Sequence, residues 1–262
     1  MVNIVTKYVK VAKRYRFLLG ELVKKGIKLK YRRSYLGILW TLLEPIMTTI
    51  ILTIVFGTWF KKDIDKFPVF ILGGRLLYSF YSESTKTAMR SVRANASMIK
   101  KVYVPKYLYP VSCILYNFII FLISLIVMVG TGIIFKVKPT LYIFVSVLPL
   151  LVLLLLAIGT SMILSTVAVF FRDMEYLWNV GLMMIMYASA IFYDPSKMEG
   201  LAGWLLKLNP LYCCIESFRL TAIYGQMFSI DKMLYATGFS LVTIVVGVYA
   251  FYKKQDQFIL YI

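Results

Sequence analysis

The stretch Tyr31–Pro45, YRRSYLGILWTLLEP, joins a basic segment of the chain to an uncharged one. Residues 1–35 carry eleven Lys or Arg and one acid, Glu21, whereas Pro45–Phe60 contains no charged residue. A cationic segment followed by an apolar helix is how a chain enters a bilayer from the leaflet rich in anionic lipid. The stretch therefore predicts an integral membrane protein, and the rest of the chain repeats the same alternation.

The composition agrees with a membrane location. Hydrophobic residues make up 60% of the chain and charged residues 16%, whereas a soluble domain has about 25% charged and 45–50% apolar residues. A net charge of +18 could also indicate a nucleic-acid partner, but such a surface needs its Lys and Arg grouped on one folded face. Here they lie in short loops between apolar runs. We therefore predict a membrane partner and no nucleic acid.

The sequence shows none of the common patterns for catalysis or metal binding. The chain has no histidine, and its three cysteines form no CxxC pair, so neither a zinc site nor a dithiol redox site is predicted. No G-x-x-x-x-G-K-[ST] sequence is present to hold nucleotide phosphates. We predict no catalytic residue, no metal and no bound cofactor. The polar, basic start of the chain also predicts no cleavable signal peptide.

The predicted fold is an all-α polytopic membrane protein with six transmembrane helices of about 20 mostly apolar residues each. The spans are Leu36–Phe60, Phe67–Ser84, Tyr107–Phe135, Thr140–Phe171, Tyr176–Tyr193 and Met233–Tyr252. With the N-terminus inside, the cytoplasmic segments hold 20 of the 30 Lys and Arg and the outer loops 9. The positive-inside rule then predicts that both termini are cytoplasmic.

Residues 1–35 are predicted to form a cytoplasmic interfacial segment ahead of a transmembrane domain over 36–262. Apolar residues such as Phe17 and Leu22 alternate with Arg16 and Lys24, which indicates a helix with a cationic face lying in the membrane interface. A solvated basic tail is the alternative.

Two connections are too long to be simple loops. Residues 85–106 mix six basic residues with apolar ones, and such a segment can form short amphipathic helices that rest on a partner or on lipid. Residues 194–232 lie outside and contain two short apolar pieces, which predict re-entrant helices between spans five and six. In the second piece, Glu216 and Arg219 have the i,i+3 spacing of an ion pair.

Three ionisable residues fall within or beside the spans, where such residues are functional candidates. Arg75 is predicted to extend towards the outer surface, and Glu83 to lie near the inner boundary. Glu44 either hydrogen-bonds a neighbouring helix or lines a polar path, and the sequence leaves both open.

Five motifs in order resemble the membrane subunit of a type 2 ABC exporter of lipid-linked polysaccharides, the group that handles O-antigens, wall teichoic acids and capsules. The motifs are YRRSYLGILWTLLEP (31–45), FILGGRLLYSF (70–80), KKVYVPKYLYP (100–110), FFRD (170–173) and LNPLYCCIESFR (208–219). Together they extend over nearly the whole chain. The resemblance implies a cell-membrane permease subunit, not itself an enzyme, that forms a homodimer and pairs with two copies of a separate ATPase, which uses ATP-Mg.

The resemblance also implies roles for the two long connections. Residues 85–106 would contain the coupling helix that docks on the ATPase, and residues 194–232 would form an outer gate hairpin. The coupling residues expected from this are Ser91, Arg93, Ile99, Lys100, Val102 and Tyr103. The expected gate residues are Trp204, Pro210, Glu216 and Arg219.

A polymer crossing the membrane needs a wet, weakly binding lining, and aromatic faces supply sliding contacts. Trp40 and Glu44 share one helix face at i,i+4 spacing, so we hypothesise that this face lines the substrate path. The path would be completed by aromatic residues of the fifth span and outer hairpin, namely Tyr187, Phe192, Tyr193 and Tyr212.

Three alternatives compete with polysaccharide export. A drug or small-lipid exporter of the same permease type would keep six spans but would not favour the LGxLW and KxxxPxxxxP patterns. A secondary transporter would have inverted repeats, and no internal repeat is visible. A structural membrane scaffold would not need the two long connections. The sequence leaves open which of the three polymers is exported.

Overall fold

The structure, a computed structural model, describes residues 2–32, 34–60, 64, 66–102, 104–195, 198 and 200–262, and the side chains of these outside 2–14, 58–60 and 201–202. All regular elements in this part of the chain are helical, which confirms the all-α prediction. The helices are α1 (Val2–Tyr31), α2 (Trp40–Phe60), α3 (Phe67–Ala94), α4 (Ala96–Lys101), α5 (Leu108–Ile134), α6 (Tyr142–Val145), α7 (Val147–Phe170), α8 (Met174–Tyr187), α9 (Gly200–Leu208), α10 (Pro210–Ala222), α11 (Ile230–Lys254) and α12 (Phe258–Tyr261). Short 3₁₀ turns precede α2 and α12.

Within the described residues, four helical segments are long and apolar enough to cross a membrane. They are Gly37–Gly57, Leu108–Ile134, Tyr142–Phe170 and Ile230–Tyr261, and they correspond to the first, third, fourth and sixth predicted spans. The fourth is divided between α6 and α7. The remaining two predicted spans are represented by α3 and α8, whose bounds differ from the prediction.

The helix α3 continues ten residues beyond the predicted end of the second span at Ser84. The charges that suggested a boundary do not interrupt the helix, because they lie on one face while the opposite face is apolar. Leu77, Ala88 and Val92 on that second face are completely buried. As a result, α3 packs against both α5 and α7 at the centre of the molecule.

The helix α8 ends at Tyr187, six residues before the predicted end of the fifth span. Its 14 residues extend about 21 Å, less than the roughly 30 Å of a bilayer's hydrocarbon core. The helix stops because other segments bind the carbonyls at its end. Asn209 Nδ2 donates to the Ala188 carbonyl at 3.0 Å, and Arg219 donates to the Ala190 carbonyl at 2.8 Å. Ala190 itself has a left-handed backbone, with φ of 47°.

The proline within α2 connects this helix to α5. Pro45 has no N–H to bond the Thr41 carbonyl one turn earlier. That carbonyl instead accepts a hydrogen bond from the Ser124 hydroxyl of α5 at 3.1 Å. The last two residues of the opening stretch, Glu44 and Pro45, thus lie where α2 meets α5.

Glycine allows α7 and α11 to pack with their backbones in contact. A side chain at Gly159 would lie 2.7 Å from the Ile244 backbone nitrogen, and one at Gly247 would lie 2.7 Å from the Gly159 carbonyl oxygen. Small residues are the usual means of close helix packing in membranes. This crossing holds α11 against the rest of the bundle.

Candidate functional site

A groove of about 420 Å³ opens between α2, α3 and α5, with the end of α1 and Met186 of α8 at its edges. We call it the polar groove, since charged, hydroxyl and amide side chains dominate its lining. These are Lys30, Tyr31, Thr41, Glu44, Thr48, Arg75, Tyr78, Ser79, Ser82, Glu83, Lys86, Asn117 and Ser124. Such a lining beside helices that can cross a membrane is the strongest candidate site in the described structure.

One face of α3 supplies most of the polar groove. Arg75, Ser79, Ser82 and Lys86 follow one another at i, i+4, i+7 and i+11, so they lie in one row along the helix. Arg75 and Lys86 are eleven residues apart, which places them about 17 Å apart along the axis. The groove therefore follows α3 for roughly half the thickness of a hydrocarbon core.

The charges in the polar groove are not neutralised by one another. Among the described side chains, no ion pair joins Lys30, Glu44, Arg75, Glu83 and Lys86, although all five line the groove. In the part of the chain that the structure describes, the Arg75 guanidinium makes one polar contact, with the Met186 sulfur at 3.9 Å. The charged groups are therefore available to water or to a polar ligand.

Tyr31 adds a neutral hydroxyl to the polar groove. Burial, followed by the nearby carboxylates of Glu44 and Glu83, raises the pKa of Tyr31 to about 12. The phenol therefore keeps its proton at neutral pH and can both donate and accept a hydrogen bond.

The structure brings together only some of the residues predicted to line one substrate path, because Tyr187 contacts Phe192 and Tyr193 whereas Glu44 lies elsewhere. Glu44 lines the polar groove, which favours the second of its two alternatives. Trp40 and Tyr187 are exposed on the surface of the chain. Tyr193 is half-buried and donates its hydroxyl to the Tyr187 carbonyl at 2.7 Å.

The other two predicted path residues pack inside the chain. Phe192 is buried and stacks on Phe56, with 5.2 Å between ring centroids. Tyr212 is buried in the main apolar cluster. Neither side chain is among those that line the polar groove.

The predicted coupling residues occupy two environments. Ser91 and Ile99 are buried, and Ser91 donates its hydroxyl to the Ala88 carbonyl. Lys100 and Val102 are exposed, and the Lys100 ammonium donates to the Ile262 carbonyl. Tyr103 lies outside the described residues.

The last predicted coupling residue, Arg93, joins α3 to the start of α8. Glu175 accepts from both Arg93 and Arg90, the latter at 2.8 Å. Glu175 lies in the first turn of α8, where a carboxylate suits the helix dipole, and its two arginine partners add a connection to α3.

In the predicted outer gate, the Glu216–Arg219 pair is wrong. Glu216 binds the Lys232 ammonium of α11 at 2.6 Å. The i,i+3 spacing permits the predicted pair, but Arg219 points to the buried side of α10. Of the other two gate residues, Trp204 is exposed and Pro210 opens α10.

Arg219 is completely enclosed by backbone and aromatic groups. Its guanidinium donates to the carbonyls of Phe70, Ala190 and Ile191 at 3.2, 2.8 and 3.0 Å, and it lies 3.4 Å from the centre of the Phe70 ring. The approach requires Gly74, because a Cβ there would be 2.3 Å from the guanidinium. Arg219 thus joins α10, α3 and the segment after α8.

Of the polar residues that line the groove, the sequence analysis placed only Glu44 in a substrate path, and the two cations Arg75 and Lys86 are among those it did not place there. Arg75 was predicted to extend towards the outer surface, yet it faces the polar groove. A usable signal was present, since Arg75, Ser79, Ser82 and Lys86 already have helical spacing in the sequence.

The chain is similar over most of its length to a known protein family and to several known proteins. The family model described as ABC-2 type transporter matches residues 18–223. The O-antigen export system permease protein RfbA of Klebsiella pneumoniae is 29% identical over 244 residues, which are 92% of this chain and 93% of that protein. The polysialic acid transport protein KpsM of Escherichia coli is 24% identical, over 89% of this chain and 91% of its own length.

A third relative is more distant but equally extensive. The capsule polysaccharide export inner-membrane protein CtrC of Neisseria meningitidis is 20% identical, over 88% of both chains. The family match begins within α1 and ends one residue after α10. Of the five helices that border the polar groove, it includes all of α2, α3, α5 and α8 and part of α1. On this evidence the chain belongs to the ABC-2 type transporter family.

Proposed function

We propose that this chain is the permease subunit of an ATP-driven exporter that carries a lipid-linked cell-surface polysaccharide across the cytoplasmic membrane. The relatives named for O-antigen and capsule export support polysaccharide over a drug or small lipid. Teichoic acid remains a further possible polymer. ATP-Mg would be used by two copies of a separate ATPase, since this chain has no phosphate-binding loop.

The observation that carries the proposal is the polar groove. Sugar hydroxyls both donate and accept hydrogen bonds, so they suit a lining that contains cations, carboxylates, hydroxyls and an amide. A translocated chain must bind well enough to enter and weakly enough to leave. Scattered polar groups without a tight cluster satisfy both conditions.

The proposed topology keeps six spans with both termini in the cytoplasm. The helix α3 would be the second span, and its polar face would be tolerated because it lines a groove rather than lipid. The fifth span would consist of α8 and the irregular segment after it. We also propose that α1 lies in the inner interface and that α9 and α10 are re-entrant from outside.

The assembly would be a homodimer in which the exposed apolar face of α2 meets its partner. Ile50, Ile51 and Ile54 are all exposed on this helix. Such a dimer would bring two copies of the polar groove near the shared axis, as a path for a polymer requires.

Export measurements on groove variants test this proposal. Glu44→Gln and Arg75→Gln each remove one charge from the polar groove; the first preserves side-chain size, and the second keeps an N–H donor on a shorter side chain. We expect surface polysaccharide to appear about three- to tenfold more slowly, the effect of weakening the barrier crossing by about 0.7–1.4 kcal/mol. Expression, dimerisation and ATPase binding should be unchanged.

The matched control is Glu21→Gln, which removes an exposed carboxylate of α1 that is paired only with Lys24 at 2.9 Å. It should export normally. Normal export by both groove variants would exclude the polar groove from the path. Transport of a lipophilic dye, with no effect on polysaccharide, would support the drug-export alternative.

A further inference from the structure

The segment after α11 folds back onto the predicted coupling helix. Phe258 is completely buried, in one apolar cluster with Ile99 of α4, Val92 of α3 and Phe251 of α11. Two hydrogen bonds reinforce this packing, from Lys100 to the Ile262 carbonyl and from Lys106 to the Gln255 carbonyl at 2.6 Å. The elements α4 and α12 therefore pack together as one unit.

In the proposed topology, α3 is the second span and begins at the outer edge of the hydrocarbon core. The 28 residues of α3 extend about 42 Å, some 12 Å more than the roughly 30 Å of hydrocarbon. Because α4 directly follows α3, it would then lie past the end of the core, with α12 packed beside it. Apolar side chains exposed at this level would not contact lipid tails.

Yet α4 and α12 expose apolar side chains at this level. Leu260 is 81% exposed and Val102 is 54% exposed. Exposed cations lie near them, with Lys101 next to Val102 and Arg172 beside Tyr261, and the exposed acid Asp256 lies four residues before Leu260. Exposed apolar residues rimmed by polar and charged side chains are typical of a protein docking surface.

We propose that α12 forms a second part of the surface that binds the ATPase subunit. Leu260, beside α4, would insert into an apolar groove of the ATPase that is bordered by carboxylates. This inference rests on the proposed function, in which α4 docks on that subunit. Its support is the continuity of α12 with α4 and the nearby cations. The coupling surface would then include a segment about 160 residues distant from α4 in the sequence.

Co-purification of the ATPase from membranes that contain both subunits tests the proposal. Leu260→Asp should weaken ATPase binding at least about tenfold, because a carboxylate would be buried in an apolar groove. Leu260→Met keeps an apolar side chain and should bind like the wild type. The matched control is Gln257→Asp, which adds the same charge at an exposed position three residues away.

The outcomes separate this inference from the proposed function. Normal ATPase binding by Leu260→Asp, together with loss of binding by Val102→Asp, would overturn the role of α12 and leave docking through α4 intact. In that case we would infer that the Leu260 side chain contacts the membrane surface instead of the ATPase. If the wild-type chain retains no ATPase at all, both proposals fall.

Discussion

Arg219 illustrates how one side chain can determine the ends of several helices. Its planar guanidinium has five N–H donors, and three backbone carbonyls from two segments accept from it. These contacts replace the helical hydrogen bonds that a longer α8 would have formed. The same fork could not be supplied by lysine, whose ammonium is a compact point charge.

We predict that Gly74→Ala destabilises the protein through Arg219. The new methyl group would lie 2.3 Å from the guanidinium, so the arginine must leave at least one carbonyl, at a cost of about 1–3 kcal/mol for each buried group left unpaired. Thermal unfolding in detergent measures the effect. In an Arg219→Met background, which itself lacks these hydrogen bonds, the additional cost of Gly74→Ala should shrink.

The neighbouring glycine provides the control. A methyl group at Gly73 would lie 3.4 Å from the Met128 side chain, which is an ordinary contact. Gly73→Ala should therefore leave stability unchanged or raise it by about 0.5–1 kcal/mol, the usual helical preference for alanine. Equal losses from both substitutions would mean that helix packing in general, and not Arg219, sets the requirement for glycine.

At the scale of elements, α3 connects all the functional regions. Its N-terminal part contacts Arg219, its middle forms the polar groove, and its C-terminal part binds Glu175 through Arg90 and Arg93. Tyr78 also donates to the Leu182 carbonyl at 2.9 Å, which holds α8 along its side. A displacement of α4 would therefore reach the polar groove and α8 through one continuous helix.

Two substitutions in the coupling region should give different results. Ile99 is packed within the chain, so Ile99→Asp should lower stability by more than about 2 kcal/mol by burying a charge. Val102 is exposed, so Val102→Asp should change stability by no more than about 0.5 kcal/mol. It should nevertheless reduce the ATPase that co-purifies with the chain.

Thermal unfolding of the isolated chain and co-purification from membranes separate the two effects. If Val102→Asp retains its ATPase and its export rate, α4 does not dock through this side of the helix. If Ile99→Asp unfolds at the wild-type temperature, the buried cluster around Phe258 does not hold α4 in place.

At the scale of the whole molecule, the sequence predicts a span correctly where a run without charges coincides with a single helical segment. Four predicted spans have matching helices because their boundaries depend only on the local presence or absence of charge. The charge pattern did not predict the C-terminal end of α3, since the charges there occupy one face of a continuous helix. The end of α8 depends on Asn209 and Arg219, which are distant in the sequence.

The candidate site shows the same division between local and distant information. Glu44 was identified because an acid in an apolar run is locally conspicuous. Phe192 and Tyr212 were not distinguishable from path residues, because an aromatic side chain in a span has the same sequence signature whether it packs or faces a groove. Only the positions of neighbouring helices decide which occurs.

The proposed orientation of the whole molecule predicts where introduced cysteines react. Lys138 and Lys207 are exposed and belong to segments proposed to lie outside, whereas Lys101 and Lys254 are exposed and proposed to lie inside. In a background without native cysteines, Cys at Lys138 or Lys207 should react with a membrane-impermeant maleimide on intact cells. Cys at Lys101 or Lys254 should react only after permeabilisation.

Arg93 would be a poor position for this measurement, because its side chain is only 21% exposed and the substitution would itself break the ion pair with Glu175. The Lys207 result is the most informative, since it lies between α8 and α11, where α8 alone is too short to cross. Labelling at Lys138 but not at Lys207 on intact cells would mean that α8 and the following segment return to the inner side. The six-span topology would then be replaced by one in which α11 starts inside, and the end of the chain would lie outside the cell.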